Sequence, residues 1–591
     1  MQNGRIIKNT FYVQVAAMVA ASVTSMLGSL IDGIIIGQYL GVDAIASFGI
    51  VSPLVAAVTL LGAVISSGAR GRFVWLMGSG KTKEAQKVFS LSLIMAVALA
   101  AFITLVVIIL SGPIASLLGA TGNAAALMPK ARAYLIGVSL GFPASSAMWV
   151  LWAFIPIDND RNLPVIASLV MAAVNILLDF AVIFVFHGDT FEMGLVTSIS
   201  YLVAVAVLLI HFLKKDAFLK LRFKKPSLKE TLEILEEGAP SGVHRIGHSV
   251  TGVVMNRILA VIASSGAIAA YSVYGQTEAL LLPIVLGVAD TVSALSGVLA
   301  GEQNRPMIRR LLVTSAQTTF ILTLLISALT WIMAPQLASW FISDNQSALD
   351  LSTSAVRAFV AGLPLHGLNL IYLDYIHGIG KVKLSALTAF FAECVFIIMS
   401  AVVLVFFIGA AAVWFAFPVA QVLLLIYYFI VSSVESRRMK IERENVWNRI
   451  LLLPDSFDTA ESERMDRSIA SMEEVAALSQ EVWSFCDSLG CDERRRYLIS
   501  LAVEEMAGNV IKHGFSNDRK KHGIDIRVMK KGNDFIIRIR DDCLIFDPVK
   551  QLKLYSDEDP THHIGLRMIV ETAKEVRYTS LLRLNNLTIR I

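Results

Sequence analysis

Charged residues are scarce in this sequence. Asp, Glu, Lys and Arg make up 17% of the 591 residues, whereas hydrophobic residues make up 55%. Soluble globular proteins carry roughly a quarter charged residues, so most of this chain is not expected to face water. The net charge of +4 is too small to indicate a nucleic-acid partner. Four cysteines provide no disulfide framework, and the nearby pair Cys486 and Cys491 lacks the further cysteines or histidines of a zinc site.

The few charges are concentrated towards the C-terminal end. Up to about Val434, long apolar runs are interrupted only by short polar loops, whereas from Glu435 onward the composition is that of an ordinary soluble domain. A membrane-spanning helix needs about 20 mainly apolar residues, and we count 12 such segments before Glu435. The chain runs almost directly into the first segment without a small-residue cleavage site, so we expect no cleaved signal peptide.

Lys and Arg lie mainly in alternate loops, and this predicts the orientation of the chain. They fill the loops at residues 70–87 and 214–229, and they follow the last apolar segment at residues 437–440. The intervening loops, such as HGDTFEM and SDNQSALD, carry acids instead. Since basic loops face the cytosol, we predict a protein of the plasma membrane with both termini cytosolic.

Two stretches of the first half recur in the second half at nearly the same separation. LGVDAIASFGI (40–50) is echoed by SSGAIAAYSVY (264–274), and WLMGSGKTKEAQKVF (75–89) is echoed by VLAGEQNRPMIRRLL (298–312). Two like-oriented repeats suit a transporter that rocks about a central cleft. We therefore predict an all-α membrane protein of 12 transmembrane helices in two six-helix lobes, followed by a small cytosolic α/β sandwich. The predicted boundaries are residues 1–225 and 226–440 for the lobes, 441–459 for a linker and 460–591 for the soluble domain.

Two sequence stretches make the membrane part more specific. SLIDGIIIGQYLGVDAIASFG (29–49) and NILLDFAVIF (175–184) resemble signature stretches of the multidrug and toxin extrusion (MATE) family, and the resemblance covers about residues 10–435. It implies a cation-coupled antiporter of the bacterial inner membrane, driven by H⁺ or Na⁺. The cargo that it implies is an organic compound, in particular an organic cation.

Carboxylates inside the predicted spans are candidates for ion coupling. An ionisable residue within a spanning helix costs several kcal/mol and is usually functional. Asp32 lies late in the first segment, and Asn175 and Asp179 share one face of the fifth because they are four residues apart. Such oxygens can share a proton or coordinate Na⁺, and the family resemblance adds Thr197 as a neutral ligand. In the alternative reading, both aspartates only hydrogen-bond neighbouring backbone.

The second half offers a different set of candidates for the transport cleft. Some MATE relatives carry a glutamate in the seventh span, whereas this chain has PSGVHRIGHSV there, with His244, Arg245 and His248. Glu278 and Asp374, in later segments, are candidate partners. Arg245 could form a buried ion pair with either carboxylate, contact substrate, or extend to the membrane interface.

The soluble tail carries a helix with polar residues on one face. In ISLAVEEMAGNVIKHG (499–514), Glu505 and Asn509 are four residues apart and can face one ligand. We predict a charged helical stretch at about 460–489 before it. After it, GIDIRVMKKGNDFIIRIRDD predicts a hairpin that turns at residues 531–533, THHIGLRMIVETAKEVRYTS predicts a loop and a helix, and LTIRI predicts a last strand. This order indicates an α/β sandwich.

These elements resemble the GHKL ATPase superfamily over residues 460–591, in particular the anti-sigma-factor serine kinases. The resemblance implies ATP and Mg²⁺ as cofactors. It implies that Glu505 is the general base, Asn509 the Mg²⁺ ligand, Asp541 the acceptor for the adenine amino group and Gly565 part of the lid over the phosphates. The sequence departs from the family where Asp541-Asp542-Cys543 replaces Asp-x-Gly and where His562 and His563 replace paired glycines. ATP binding is therefore expected, and serine/threonine kinase turnover is left open.

Two functions are consistent with this combination. In the first, a secondary transporter carries a cytosolic ATP-binding domain that regulates it; the tail lacks the P-loop pattern of a transport motor. In the second, the membrane lobes sense a small molecule and control phosphorylation of a cytosolic partner of the STAS type. No helix with a phospho-accepting histidine motif precedes the domain, which argues against a histidine kinase. The two functions differ in whether substrate flux depends on Asp179.

Overall fold

The structure of the protein is a computed structural model. It describes residues 6–20, 42–118, 127–214, 217–221, 227–262, 265–340, 346–442, 446–515, 522–543, 547–548 and 564–591. Asp32, His562 and His563, which the sequence analysis singled out, lie outside these ranges.

Long helices form almost all of the described chain before residue 442. The N-terminal half contains α1 Ile6–Ala20, α2 Val42–Gly78, α3 Thr82–Ile109, α4 Ser111–Leu117, α5 Met128–Ser139, α6 Phe142–Phe154, α7 Asn162–Ala181 and α8 Thr190–Leu209. The C-terminal half contains α9 Leu228–Ile262, α10 Ser265–Gly301, α11 Arg305–Ser339, α12 Gln346–Gly378, α13 Val382–Phe390, α14 Phe396–Ile408 and α15 Ala416–Arg438. A π-helical turn at Val182–Phe186 extends α7, and another at Phe391–Val395 joins α13 to α14.

The composition of these helices suits a lipid environment. Within the described residues, nine helices are long and apolar enough to cross a membrane, or ten if α5 and α6, which meet at a bend of 44°, form one span. Large apolar side chains such as Phe406, Leu325 and Leu177 are exposed on the outer faces of these helices. Contact with lipid is favourable for such side chains, whereas contact with water would not be. The prediction of 12 spans in two six-helix lobes stays a prediction, because the first span falls largely within residues 21–41.

The two halves meet where α2 packs against α9 and α10. Near the ends of α2 and α10 the backbones touch: a Cβ on Gly78 would lie 2.2 Å from the carbonyl oxygen of Val298, and a Cβ on Gly301 would lie 2.5 Å from that of Trp75. Gly78 and Gly301 occupy equivalent positions in the echoed stretches. A glycine at both positions therefore permits a close, nearly symmetric crossing of the two repeats.

The C-terminal domain is a five-stranded antiparallel sheet covered on one face by helices. Its strands are β1 Arg464–Ile469, β2 Ile524–Lys531, β3 Asp534–Asp541, β4 Glu575–Leu581 and β5 Leu584–Arg590, in the order β1-β2-β3-β5-β4. The helices are α17 Glu473–Ser488, α18 Glu493–Asn509 with a π-helical turn at Val510–Gly514, and α19 Ile564–Thr572. Alternate strand residues such as Ile537 and Ile539 pack into the core below these helices, so the intervening residues lie on the opposite face.

The predicted hairpin is confirmed, and two predicted helical stretches are helical over only part of their predicted ranges. β2 and β3 pair from Ile524↔Asp541 to Lys531↔Asp534, with Gly532 at φ +63° in the turn. The stretch at 460–489 is not one charged helix, because β1 occupies 464–469 and pairs with β2. The helix after residue 561 ends at Thr572, and 575–581 form β4, which pairs with the last strand. β1 pairs with β2 across two intervening helices, and β4 pairs with β5 across a two-residue turn, so strand pairing overrides the local pattern at both places.

The segment between the membrane helices and the domain packs against α12. It contains the short helix α16 Val446–Leu451. The hydroxyl of Tyr372 donates to the carbonyl of Ile450 at 2.6 Å, and the hydroxyl of Tyr375 donates to that of Leu451 at 2.7 Å. The predicted linker at 441–459 is thus held against the helix bundle, while the domain boundaries themselves stay predictions.

Candidate functional site

The predicted nucleotide residues of the C-terminal domain converge around the end of α18. Asn509 is the last residue of α18 and Asp541 is the last residue of β3. Both line one cavity of about 140 Å³, whose apolar walls include Met506, Ile539 and Leu587. A small pocket with apolar walls and a few placed polar groups is typical of a ligand site.

Asp541 is a buried hydrogen-bond acceptor in this cavity. Its Oδ1 atom accepts hydrogen bonds from Nδ2 of Asn585 at 2.7 Å and from the backbone N–H of Cys543 at 3.0 Å. Burial disfavours the charged carboxylate and raises the pKa of Asp541 to about 6. These bonds hold the Asp541 carboxyl in place at the cavity wall.

Gly565 lies directly against Glu505. It is the second residue of α19, and a Cβ added to it would lie 2.5 Å from Cδ of Glu505. Glu505 is one helical turn before Asn509 on α18 and is partly exposed. The structure therefore places Asn509 with Asp541 at one cavity and Glu505 with Gly565 one helical turn away, and the nucleotide-site assignment of these four residues stays a prediction.

The side chains that line this site fit the binding of ATP and Mg²⁺. The side-chain oxygen of Asn509 is the kind of hard ligand that Mg²⁺ accepts beside phosphate oxygens. Asp541 offers an anionic acceptor within an apolar pocket, which matches the amino group of an adenine ring. The segment that would cover the phosphates lies largely in residues 549–563, outside the described ranges.

The predicted coupling residues of the N-terminal half are only partly placed together. Asn175 and Asp179 are both buried and lie one turn apart on α7. Thr197 lies on α8, which packs against α7, and its hydroxyl donates to the carbonyl of Met193 at 3.3 Å. Convergence with Asp32 falls outside the described residues. The coupling assignment of these four residues stays a prediction.

The C-terminal half contains a cavity of about 210 Å³ lined by histidines and glutamates. His244 Nδ1 lies 3.1 Å from Glu393 Oε1, and His248 Nδ1 lies 3.9 Å from both Glu278 Oε1 and Glu393 Oε2. His366 also lines this cavity. Of the three predicted cleft residues, His248 and Glu278 therefore share one site.

Asp374, the third predicted cleft residue, belongs to a different group. It does not line the cavity and lies within electrostatic range of Arg70 and Asp290. Arg70 on α2 forms an ion pair with Asp290 on α10, so this group joins the two halves. Arg245 lies 5.4 Å from the ring of Trp149 on α6 in a cation–π contact. Among the described residues, Arg245 is in no ion pair with Asp374 or Glu278.

The uncovered face of the C-terminal sheet is docked against the membrane helices. We define the docking end as residues 78–81, 157–159 and 302–305. Glu302, just after α10, has a side chain that is 1% exposed and accepts hydrogen bonds from Arg540 and, at 2.6 Å, from Asn586. Arg538 donates to the backbone carbonyl of Glu302 at 3.0 Å.

The same sheet also reaches the N-terminal half. The N–H of Leu582 donates to the carbonyl of Ile157 at 2.9 Å, and Nδ2 of Asn159 donates to Oγ of Ser580 at 3.0 Å. Three leucines of the β4–β5 turn belong to the same buried apolar cluster as the membrane-helix core: Leu581, Leu582 and Leu584. The domain is thus in contact with both halves at once.

Sequence reasoning missed several residues of these sites, and only one had a local signal. Glu393 is the one acidic residue in the apolar span Val382–Ile408, and that isolation marks it as a functional candidate. Glu302 and Arg540 are far apart in the chain and have no motif, so only the tertiary contact identifies them.

The protein has a bundle of apolar helices with polar cavities, joined to an α/β domain with a ligand pocket. These features define a multi-pass membrane protein with an attached domain of the nucleotide-binding type. The MatE family model matches residues 17–181 and 240–403, in two repeats, and the chain belongs to this family. The model described as Histidine kinase-like ATPase domain matches residues 469–591. Both family resemblances seen in the sequence are confirmed.

Individual relatives agree with this membership. Multidrug export protein MepA of Staphylococcus aureus (strain N315) is 24% identical over 384 residues, which are 63% of this chain and 83% of MepA. An outward-facing multidrug resistance MATE family transporter of the MOP superfamily is similar with a TM-score of 0.68 and 21% identity, over 74% of this chain and 98% of that chain. A MOP superfamily transporter from Pyrococcus furiosus gives 0.67 and 21% over the same shares. These structural similarities establish the fold of the membrane part.

Proposed function

We propose that the protein is an antiporter that exports organic compounds, organic cations in particular, in exchange for H⁺ or Na⁺, under the control of a cytosolic nucleotide-binding domain. Membership in the MatE family and the similarity to a multidrug export protein support the transport activity. The observation that carries the coupling proposal is the burial of Asn175 and Asp179 on one face of α7.

The proposed coupling follows from the energetics of a buried carboxylate. Asp179 is 0% exposed, and a buried carboxylate at such a position costs several kcal/mol unless a hydrogen-bond partner, a proton or a cation compensates it. A bound ion therefore stabilises one state of the site, and a cationic substrate that approaches the same oxygens displaces it. Competition of this kind gives exchange when the site opens alternately to the two sides of the membrane, because either occupant is released when the other binds.

For the C-terminal domain we propose ATP binding with Mg²⁺. Asn509 would hold the ion, Asp541 would accept the adenine amino group and Gly565 would let the phosphates approach closely. Bound ATP would supply a transferable phosphoryl group and a concentrated negative charge. Glu505, beside Gly565, is placed to orient a hydroxyl or a water, so the domain has the parts of a phosphoryl-transfer site.

We propose that this domain regulates transport through its docked sheet. In this proposal the docking end is cytosolic, because basic loops face the cytosol. The sheet contacts both halves, through Glu302 in one and Ile157 in the other. A transporter that rocks its halves apart on that side must first break one of these contacts, so docking favours the state that is closed to the cytosol.

The proposed transport function can be tested by efflux of a fluorescent organic cation from vesicles, with separate pH and sodium gradients. We expect Asp179→Asn to abolish gradient-driven flux. Glu84→Gln is the matched control, since it also removes one carboxylate but at an exposed position, and should keep the flux. The exporter proposal would be overturned in favour of a sensor kinase by two results together: no gradient-dependent flux in wild-type vesicles, and phosphorylation of a STAS-type partner by the protein.

A further inference from the structure

Three unlike metal-binding side chains meet beside the nucleotide pocket. One ligand atom each of His522, Asp542 and Cys543 lies within 4.8 Å of the others. Nδ1 of His522 is 2.9 Å from Oδ1 of Asp542. The side chain of His522 is 4% exposed and that of Asp542 is 20% exposed, so the group is largely shielded from water. Such an arrangement can hold one ion without a rearrangement of the backbone.

The types of ligand select the class of metal. An imidazole, a carboxylate and a thiolate are together a set of borderline-soft and hard ligands, which suits Zn²⁺ and its substitute Co²⁺. Mg²⁺ and Ca²⁺ prefer oxygen ligands alone, so the thiol of Cys543 discriminates against them. Three protein ligands leave a fourth tetrahedral position for water or another ligand.

The surrounding fold makes room for the thiol. Cys543 lies two residues beyond Asp541, and its neighbour across the site is Gly514, the last residue of the π-helical turn after α18. A Cβ on Gly514 would lie 2.9 Å from Cβ and 3.1 Å from Sγ of Cys543, so any larger residue there would push the thiol away. The ring of Phe515 packs against that of His522 at 5.6 Å and covers the group.

We propose that His522, Asp542 and Cys543 form a Zn²⁺ site that links the start of β2 to the segment after β3. No local sequence pattern indicates this site, because His522 is separated from the other two ligands by the whole β2–β3 hairpin. The proposal is independent of the transport activity. The three ligands are distinct from Asn509 and Glu505, but Cys543 also lines the nucleotide cavity and its backbone N–H donates to Asp541, so a metal bound here would adjoin a bound nucleotide.

The site can be tested with the full-length protein in detergent, using Co²⁺ as a spectroscopic probe and Zn²⁺ competition to measure affinity. We expect one equivalent of Co²⁺ to produce a thiolate-to-cobalt charge-transfer band that Zn²⁺ removes. Cys543→Ser should abolish the band and weaken Zn²⁺ binding by on the order of 100-fold or more, since even outer-shell changes cost about 10–100-fold. Cys491→Ser, at a partly exposed cysteine outside the group, should keep both.

A second variant keeps the test informative if Cys543→Ser does not fold. Asp542→Asn retains a hydrogen-bonding side chain beside His522 but removes the anionic ligand, and we expect Zn²⁺ affinity to fall at least about tenfold. Two outcomes would show that the three residues form only an ion pair with a neighbouring thiol. One is the absence of a thiolate-to-cobalt band in the wild-type protein, and the other is equal Zn²⁺ affinity in the wild type and in Asp542→Asn.

Discussion

Arg540 on the C-terminal sheet donates a hydrogen bond to the carboxylate of Glu302 at the end of α10, and the two side chains are 4% and 1% exposed. Buried ion pairs contribute little net stability relative to apolar residues, but removing one partner leaves an uncompensated charge. Glu302 is also bonded by Asn586 and approached by Arg538. The contact between the domain and the membrane helices is therefore expected to be specific and to fail when this carboxylate is removed.

The first prediction concerns this contact. Glu302→Ala should weaken docking by about 3–5 kcal/mol, because it strands buried guanidinium groups. Hydrogen–deuterium exchange in detergent should show faster exchange in β3, in β5 and at the end of α2. Lys531→Ala is the control: Lys531 donates to Gln303 at 2.8 Å from an exposed position, and its loss should change exchange little. Equal protection in Glu302→Ala and in the wild type would refute a docking role for Glu302.

The second prediction concerns the close approach of Gly565 to Glu505. Gly565→Ala places a Cβ 2.5 Å from Cδ of Glu505, so the flexible side chain of Glu505 must move away from its position beside the lid. We expect weaker Mg-ATP binding by calorimetry with the membrane part still folded. Gly508→Ala, whose Cβ would meet only the flexible Cε of Met472 at 3.3 Å, should bind ATP normally. If both variants bind ATP equally well, Gly565 has no part in shaping the site.

The third prediction is a pH dependence set by Asp541. Its folded pKa of about 6 lies above the ordinary value of 3.8, so protonation favours the folded domain. Protonated Asp541 contributes on the order of 3 kcal/mol to the free energy of unfolding. This contribution is fully present below about pH 4 and is lost as the pH rises through 6. Asp541→Asn should flatten this part of the pH profile in thermal unfolding. An unchanged profile in the variant would assign the effect to another group.

Ligand binding should follow the opposite trend, because an adenine amino group needs the carboxylate as acceptor. We expect ATP affinity to fall about tenfold for each pH unit below 6. In Asp541→Asn the affinity should be lower at pH 7 and independent of pH in this range. Binding that is insensitive to pH between 5 and 7 in the wild-type protein would exclude Asp541 from the adenine site.

The sequence predicted the sites that depend on local spacing. Glu505 and Asn509 share a helix face because they are four residues apart, and the hairpin around Gly532 follows from alternating strands with a turn between them. Asn175 and Asp179 were identified by the same reasoning. In these cases the information lies within one or two neighbouring elements, where helical and strand periodicity apply directly.

The remainder depends on contacts between distant elements. β1 reads as part of a charged helix locally and becomes a strand because it pairs with β2, which follows two helices later. The failure at β4 is of another kind, since β4 pairs with β5 across a two-residue turn. Asp374 is predicted as a cleft residue, and it lies near the ion pair that joins α2 to α10 and within electrostatic range of His244, so its role stays a prediction. His522 meets Cys543 only because the β2–β3 hairpin returns to its starting edge. Local sequence patterns do not predict such contacts between distant residues.

The last prediction concerns the histidine- and glutamate-lined cavity in the C-terminal half. Glu393 lies 3.1 Å from His244 and 3.9 Å from His248, and it is the acidic residue that both imidazoles share. A cationic cargo that enters this cavity would compete with the imidazoles for the same carboxylate. Glu393→Gln should therefore weaken the binding of an organic cation by about 1.5–3 kcal/mol, the usual contribution of a hydrogen bond to a charged group.

Equilibrium binding of a fluorescent organic cation to the purified protein measures this effect without a gradient. Glu236→Gln is a matched control, since Glu236 lies on α9 like His244 but is 60% exposed and pairs with the exposed Lys383. Loss of affinity in Glu393→Gln alone places the cargo in the C-terminal cavity. If Asp179→Asn loses affinity for the cation and Glu393→Gln keeps full affinity, the cargo binds in the N-terminal half. The reason is that only removal of a carboxylate that contacts the cation changes the affinity for the cation.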